Sequence, residues 1–146
     1  MVTVKEITTS EEQSIAFDIR RKVFIIEQCV PENEEYDEFE TKSKQFLAFI
    51  NDLAVGTARM RQTEKGIKLE RFAVLKEFRG RQVGASLVKN LLTKCKNELH
   101  SSVYLYAQVA AKDFYEKFGF EARGEIFLDA GIDHIEMQYQ EKRSEE

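Results

Sequence analysis

The chain has 146 residues, enough for one domain with its own hydrophobic core. Hydrophobic residues make up 42% and charged residues 33%, the balance of a folded domain and not of a disordered chain. A net charge of -4, with no basic stripe interleaved with aromatics, argues against nucleic-acid binding. No run approaches the roughly 20 apolar residues that span a bilayer, so no membrane partner is expected. The N-terminal segment MVTVKEITTSEE has no apolar signal core, and a cytoplasmic location is the expectation. Cys29 and Cys95 are far apart, and with only His100 and His134 beside them no metal site is expected.

Val2 to Ile7 alternates apolar and polar residues, as a half-buried strand does. Ser10 then reads as a helix N-cap, with Gln13 completing a capping box. Ile15, Ala16, Ile19, Val23 and Ile26 keep helical spacing and predict a helix from about Glu11 to Glu27. The stretch from Pro31 to Lys44 is strongly acidic. Gln45–Asn51 and Ala54–Arg61 read as strands joined at Asn51-Asp52 by a tight turn. Thr63–Gly66 is the next turn. Ile67–Leu75 is a fourth strand, apolar on both faces at its end. Gly84, Leu87, Val88, Leu91, Leu92, Cys95 and Leu99 form one helical stripe. Val103–Val109 follows as a strand, and Ala111–Phe118 as a short helix closed by Gly119. Phe120–Leu128 and Ile132–Tyr139 are closing strands, and Glu141–Glu146 is a charged tail. The order β-α-β-β-β-α-β-α-β-β predicts one α/β layered domain over residues 1–146.

The most informative stretch is Leu69 to Val88. A buried strand ends, a turn carries Arg79-Gly80-Arg81-Gln82-Val83-Gly84-Ala85, and a long amphipathic helix begins. A helix start has free N–H donors and the positive end of its dipole, and small residues let an anion come close. Such a turn suits a diphosphate; it is equally compatible with a plain turn in which Gly84 relieves helix–sheet crowding. The P-loop ending Gly-Lys-Ser/Thr is absent, and so is the dinucleotide pattern G-x-G-x-x-G.

This segment resembles motif A of the GNAT N-acetyltransferase superfamily, R/Q-x-x-G-x-G/A, with Arg79 first, Gly84 last and Gln82 in place of the middle glycine. Downstream, Phe114-Tyr115-Glu116-Lys117-Phe118-Gly119-Phe120 is similar to the aromatic-rich segment of that superfamily. Arg21–Gln28, Lys68–Arg71 and Phe127–Met137 resemble its small bacterial ElaA/YjcF-like branch. The resemblance implies a mixed, mostly antiparallel sheet, splayed between the fourth and fifth strands, with helices on both faces. It also implies acetyl-CoA as co-substrate, its pyrophosphate held at Arg79, Gly80, Arg81, Gln82, Val83, Gly84 and Ala85. Its pantetheine arm would meet the backbone of Phe72, Ala73 and Val74, with Gln108 bonding the arm.

The implied reaction is direct transfer of an acetyl group to a primary amine of a small molecule, which needs positioning and proton transfers. Tyr115 matches the position often assigned as general acid, or else packs against the cofactor. Glu70 is the first candidate base, or else a salt-bridge partner of a residue such as Arg71. Glu27, beside Gln28, is the second, or else a surface carboxylate. His134 orients the acceptor or relays a proton, or else is structural. Cys29 is a packing residue or a nucleophile. Glu32, Glu34, Glu35, Asp37, Glu38 and Glu40 either steer a cationic amine or are solvated surface. A protein or peptide amine, or a non-catalytic acyl-CoA sensor, are the competing readings, and association into a homodimer is left open.

Overall fold

Seven strands form one sheet in the computed structural model, which describes residues 1–96 and 102–140. They are β1 (Val2–Glu6), β2 (Lys44–Ile50), β3 (Leu53–Thr63), β4 (Gly66–Val74), β5 (Val103–Gln108), β6 (Phe120–Asp129) and β7 (Ile132–Tyr139). The sheet order is β1-β2-β3-β4-β5-β7-β6. Only β4 and β5 run parallel, and their pairing is confined to Ile67↔Val103, Lys68↔Tyr104 and Leu69↔Leu105. Asn51, at φ +55°, makes the expected two-residue turn between β2 and β3. Expected positions Leu99 and His100 and the tail Glu141–Glu146 lie outside the described residues.

Helices cover both faces. One face carries α1 (Ser10–Arg20) and its continuation Arg21–Glu27, where Ala16, Ile19, Val23 and Phe24 pack on Leu47 and Ala73. The other carries α3 (Val83–Lys96), where Val83, Leu87, Val88 and Leu91 pack on Phe46, Ala48, Val55 and Leu105. Phe46 and Leu47 thus serve opposite cores, as strand alternation demands. A Cβ on Gly56 would stand 2.8 Å from Val83 Cγ1, so this glycine lets the start of α3 sit down on β3. A short α2 (Glu32–Glu35) follows α1, and α4 (Lys112–Glu116) buries Tyr115 against the second core.

Two expectations about the first helix change. Its cap is Thr9, not Ser10. The Thr9 hydroxyl accepts from Glu12 N (3.1 Å), and Glu12 Oε1 accepts from Thr9 N (3.1 Å) and Thr8 N (2.9 Å). Glu11, Glu12 and Gln13 stand three residues on from Thr8, Thr9 and Ser10, so the spacing admits three boxes, and the one that forms is Thr9 with Glu12. Secondly, the helix is α only to Arg20; Arg21–Glu27 is π-helical. The wider turn shifts the stripe, so Val23 and Phe24 are buried while Ile26 faces outward. Cys29, expected to pack, is exposed at φ +61° beyond that turn.

Candidate active site

The gap between β4 and β5 opens one residue beyond Leu69↔Leu105. There Arg59 pairs with Glu70 and Thr57 with Ala73, so Arg71 and Phe72 together face Ala58. Arg71 holds φ +57°. This bulge bends β4 away from β5, while β5 continues its pairing with β7 as far as Gln108↔His134. The resulting cleft, about 760 Å³, runs from the start of α3 past Phe72, Tyr115 and Gln108 to Glu70, Tyr106 and His134. That is the size of a small-molecule site.

At one end lies the turn into α3. Gly80 has φ +79°, and Gln82 has φ +68°. A side chain at the middle position is tolerable on a helical backbone, but Gln82 is left-handed, the conformation that favours glycine there. Ser86 N donates to Gln82 O (3.0 Å), so the helix ladder begins at Gln82. The N–H groups of Val83, Gly84 and Ala85 precede the ladder, and all three residues border the cleft. A Cβ on Gly84 would stand 3.3 Å from the Phe114 ring. This glycine therefore relieves crowding against Phe114.

Several expected roles shift. Arg79 makes a bidentate pair with Glu27 (2.5 and 2.7 Å), and its Nε donates to the Val74 carbonyl (3.0 Å). Glu27 is a weak candidate base, because its bond to Arg79 holds the carboxyl below its usual range and it does not border the cleft. Arg81 does not border the cleft either; its guanidinium lies 5.5 Å from the Phe78 ring centroid. Leu75 N donates to Val55 O (2.9 Å), and antiparallel alternation then turns the Ala73 backbone to β3 and that of Val74 to the gap. Ala73 borders the cleft without free backbone groups on that side. Gln108 Nε2 donates to Gln28 Oε1 (2.9 Å), and both line the cleft.

Tyr115 sits between Phe72, Phe114 and Phe120, with centroids 5.8, 5.1 and 6.1 Å away. Burial pushes its hydroxyl well above the usual phenol value, so it stays protonated. His134 is 9% exposed and stacked on Phe127. Its Nδ1 is 2.7 Å from the Ile132 carbonyl, which assigns the proton to Nδ1 and leaves Nε2 as an acceptor.

Glu70 is buried in a charge network, with Arg59, Arg61 and Lys68 as partners where Arg71 was expected. Burial pushes its carboxyl up, but these cations outweigh burial and hold it below the usual range. Its Oε1 is buried and accepts no hydrogen bond; Lys68 Nζ stands 3.2 Å away without donating to it.

The acidic stretch is not a uniform solvated surface. Glu32, Glu34 and Glu38 are exposed, but Glu35, Asp37 and Glu40 turn inward. Glu35 and Glu40 bind Arg20, and Asp37 and Glu40 bind Arg59. Both arginines are 1% exposed, and buried guanidiniums require counterions. The sequence reading missed Arg59, Arg61 and Lys68, and gave Arg71 only as a partner of Glu70. The available signal was Arg59-x-Arg61 and Lys68-x-Glu70 flanking the Thr63–Gly66 turn, which sets all four on one face of a hairpin.

A sheet parted between two parallel strands, with a helix start at the mouth of the gap, is the layout of an acyl-CoA N-acyltransferase. The Acetyltransferase (GNAT) domain family matches residues 6–141. The N-acetyltransferase YjcF of Bacillus subtilis, itself uncharacterized, is 40% identical over 133 residues, which is 90% of this chain and 95% of YjcF. The crystal structure of Escherichia coli ElaA has a TM-score of 0.86 at 25% identity, covering 96% of this chain and 100% of that one. A GNAT family acetyltransferase from Elizabethkingia anophelis, solved with acetyl-CoA bound, shares the fold with a TM-score of 0.68 at 18% identity, covering 94% of each chain. The chain belongs to the GNAT acetyltransferase family, and is an enzyme that passes an acyl group from acyl-CoA to an acceptor.

Proposed function

We propose that this enzyme transfers the acetyl group of acetyl-CoA to the primary amine of a small molecule. The observation that carries the reading is one continuous cleft with the first-turn N–H groups of a helix at one end and the buried Glu70 carboxylate at the other. The first-turn N–H groups at Val83, Gly84 and Ala85 suit the diphosphate, and the gap-facing Val74 backbone suits a pantetheine amide. In the reaction, the amine nitrogen bonds to the thioester carbonyl carbon, the carbon–sulfur bond breaks, and sulfur leaves with a proton. Glu70 attracts the ammonium. Its depressed carboxyl makes it a better anchor than base, which leaves His134 Nε2 or water to take the proton. Tyr115, protonated and buried beside Phe72, donates to the departing sulfur.

The test is thiol release from acetyl-CoA against a panel of small primary amines, with acetyl-CoA binding followed by calorimetry. Amine-dependent release is the expected result. Binding without release for any amine would make this chain an acyl-CoA sensor.

A further inference from the structure

Across the β3–β4 hairpin, Arg61 stands directly opposite Lys68. Like charges in directly opposed positions repel, and the effect grows as water is withdrawn. Here the side chains are 17% and 14% exposed, so little solvent screens them. Arg71, on the bulge beside them, is also largely covered at 22%. All three border the cleft at its acceptor end.

Burial pushes the Lys68 ammonium below its ordinary value; Glu70 counters that push, and Arg61 and Arg71 add to it. The surrounding network ties five cations, Arg20, Arg59, Arg61, Lys68 and Arg71, to four carboxylates, Glu35, Asp37, Glu40 and Glu70. One positive charge of the network is left over, while Glu34 and Asp129 border the cleft outside it.

The donors there are not used up. Arg61 donates through Nε to Glu70 Oε2 (2.8 Å), and its guanidinium lies flat against Phe39, 4.0 Å from the ring centroid. Its two Nη groups make no hydrogen bond among the described residues. Lys68 Nζ hovers 4.3 Å from the Tyr106 centroid. Its charge is balanced by Glu70 Oε1, 3.2 Å away, a buried oxygen that accepts no hydrogen bond.

From this juxtaposition of free Arg61 guanidinium donors with an opposed, cleft-lining Lys68 ammonium beside the Glu70 carboxylate we infer that the acceptor is a compact amine carrying its own anionic group close to the nitrogen, as an amino acid does. This inference rests on the proposed transferase function and specifies its acceptor. The ammonium is drawn toward the Glu70 carboxylate. The carboxylate, or a phosphoryl group of the same charge, bridges Arg61 Nη and Lys68 Nζ and removes their repulsion. A purely cationic amine would satisfy Glu70 and leave the two cations opposed.

Matched acceptors test it in the thiol-release assay. L-phenylalanine is set against phenethylamine, L-histidine against histamine, L-lysine against cadaverine, and O-phosphoethanolamine against ethanolamine. At least one anionic member is expected to exceed its partner in kcat/KM by about tenfold or more, the typical worth of a charge-assisted hydrogen bond. Carboxylate and phosphoryl arms show separately which anion is read. In Arg61→Gln the acceptor KM should rise about tenfold, with the acetyl-CoA KM unchanged as evidence of an intact fold, and Arg61→Lys should recover part of the loss. Equal or greater turnover of the uncharged-tail partners in every pair overturns the inference and leaves the transferase reading standing. An Arg61→Gln variant with unaltered preference also overturns it. No release with any amine, despite acetyl-CoA binding, sinks both.

Discussion

Tyr115 shows how surroundings set a side chain's chemistry. Three aromatic rings desolvate its hydroxyl and push its proton affinity upward. A thiol of ordinary pKa, about 8.5, holds its proton less tightly than such a phenol. The proposed contribution of Tyr115 is therefore a hydrogen bond to sulfur as charge develops there, with the final proton drawn from solvent. Tyr115→Phe keeps the ring packing and removes the donor. Turnover should fall about 10²- to 10⁴-fold with acetyl-CoA affinity unchanged, as steady-state kinetics and calorimetry would show. Parent-like turnover would return Tyr115 to packing.

Among the elements, the turn into α3 carries a visible compromise. Gln82 holds φ +68°, where a Cβ costs roughly 1–2 kcal/mol. Glycine avoids that cost and loses somewhat more chain entropy on folding, a partial offset. Gln82→Gly should raise stability by about 0.5–1 kcal/mol, measured by urea denaturation. A decrease would mean that the Gln82 side chain makes a contribution larger than the strain. The neighbouring contact of Arg79 with Glu27 and Val74 joins this turn to the end of the π-helical segment. The turn at the mouth of the cleft is thus pinned by a residue 52 positions away in sequence.

At the scale of the molecule, the charge network ties α1, α2 and the β3–β4 hairpin together through Arg20 and Arg59. It also predicts how the fold responds to acid. Burial tends to raise the Asp37 carboxyl, but the bonds from Arg59, the Phe39 amide and Arg71 hold it at about 2. An unfolded aspartate titrates near 3.9. Because the folded value is the lower one, the stabilisation is fully present above the unfolded value and is lost as pH falls toward 2. Asp37→Asn should be less stable than the parent at pH 7, and its stability should fall less steeply between about pH 5 and 2. Urea midpoints across that range check this; parallel curves would show that Asp37 is not linked to folding.

The sequence alone determined the order of elements, the strand-turn-helix at Leu69–Val88 and the aromatic segment around Tyr115. These are local signals: period, turn chemistry and spacing repeat along the chain and need no knowledge of distant neighbours. That is why β7 was read at its observed bounds and β4 within a residue of them. It could not fix the cap among three consecutive hydroxyls, or the π winding that turns Ile26 outward, because each depends on a side-chain or packing partner beyond the pattern itself. Nor could it sort the acidic stretch into exposed and buried carboxylates. Asp37 lies 22 residues from Arg59, and only the folding of α2 against the β3–β4 hairpin brings them to 2.8 Å. Tertiary structure likewise decided that Glu27 belongs to Arg79, that the Ala73 backbone belongs to β3, and that Arg61 and Lys68 face one cleft. Charge at a site is a sum over neighbours, and in this chain those neighbours come from four separate segments.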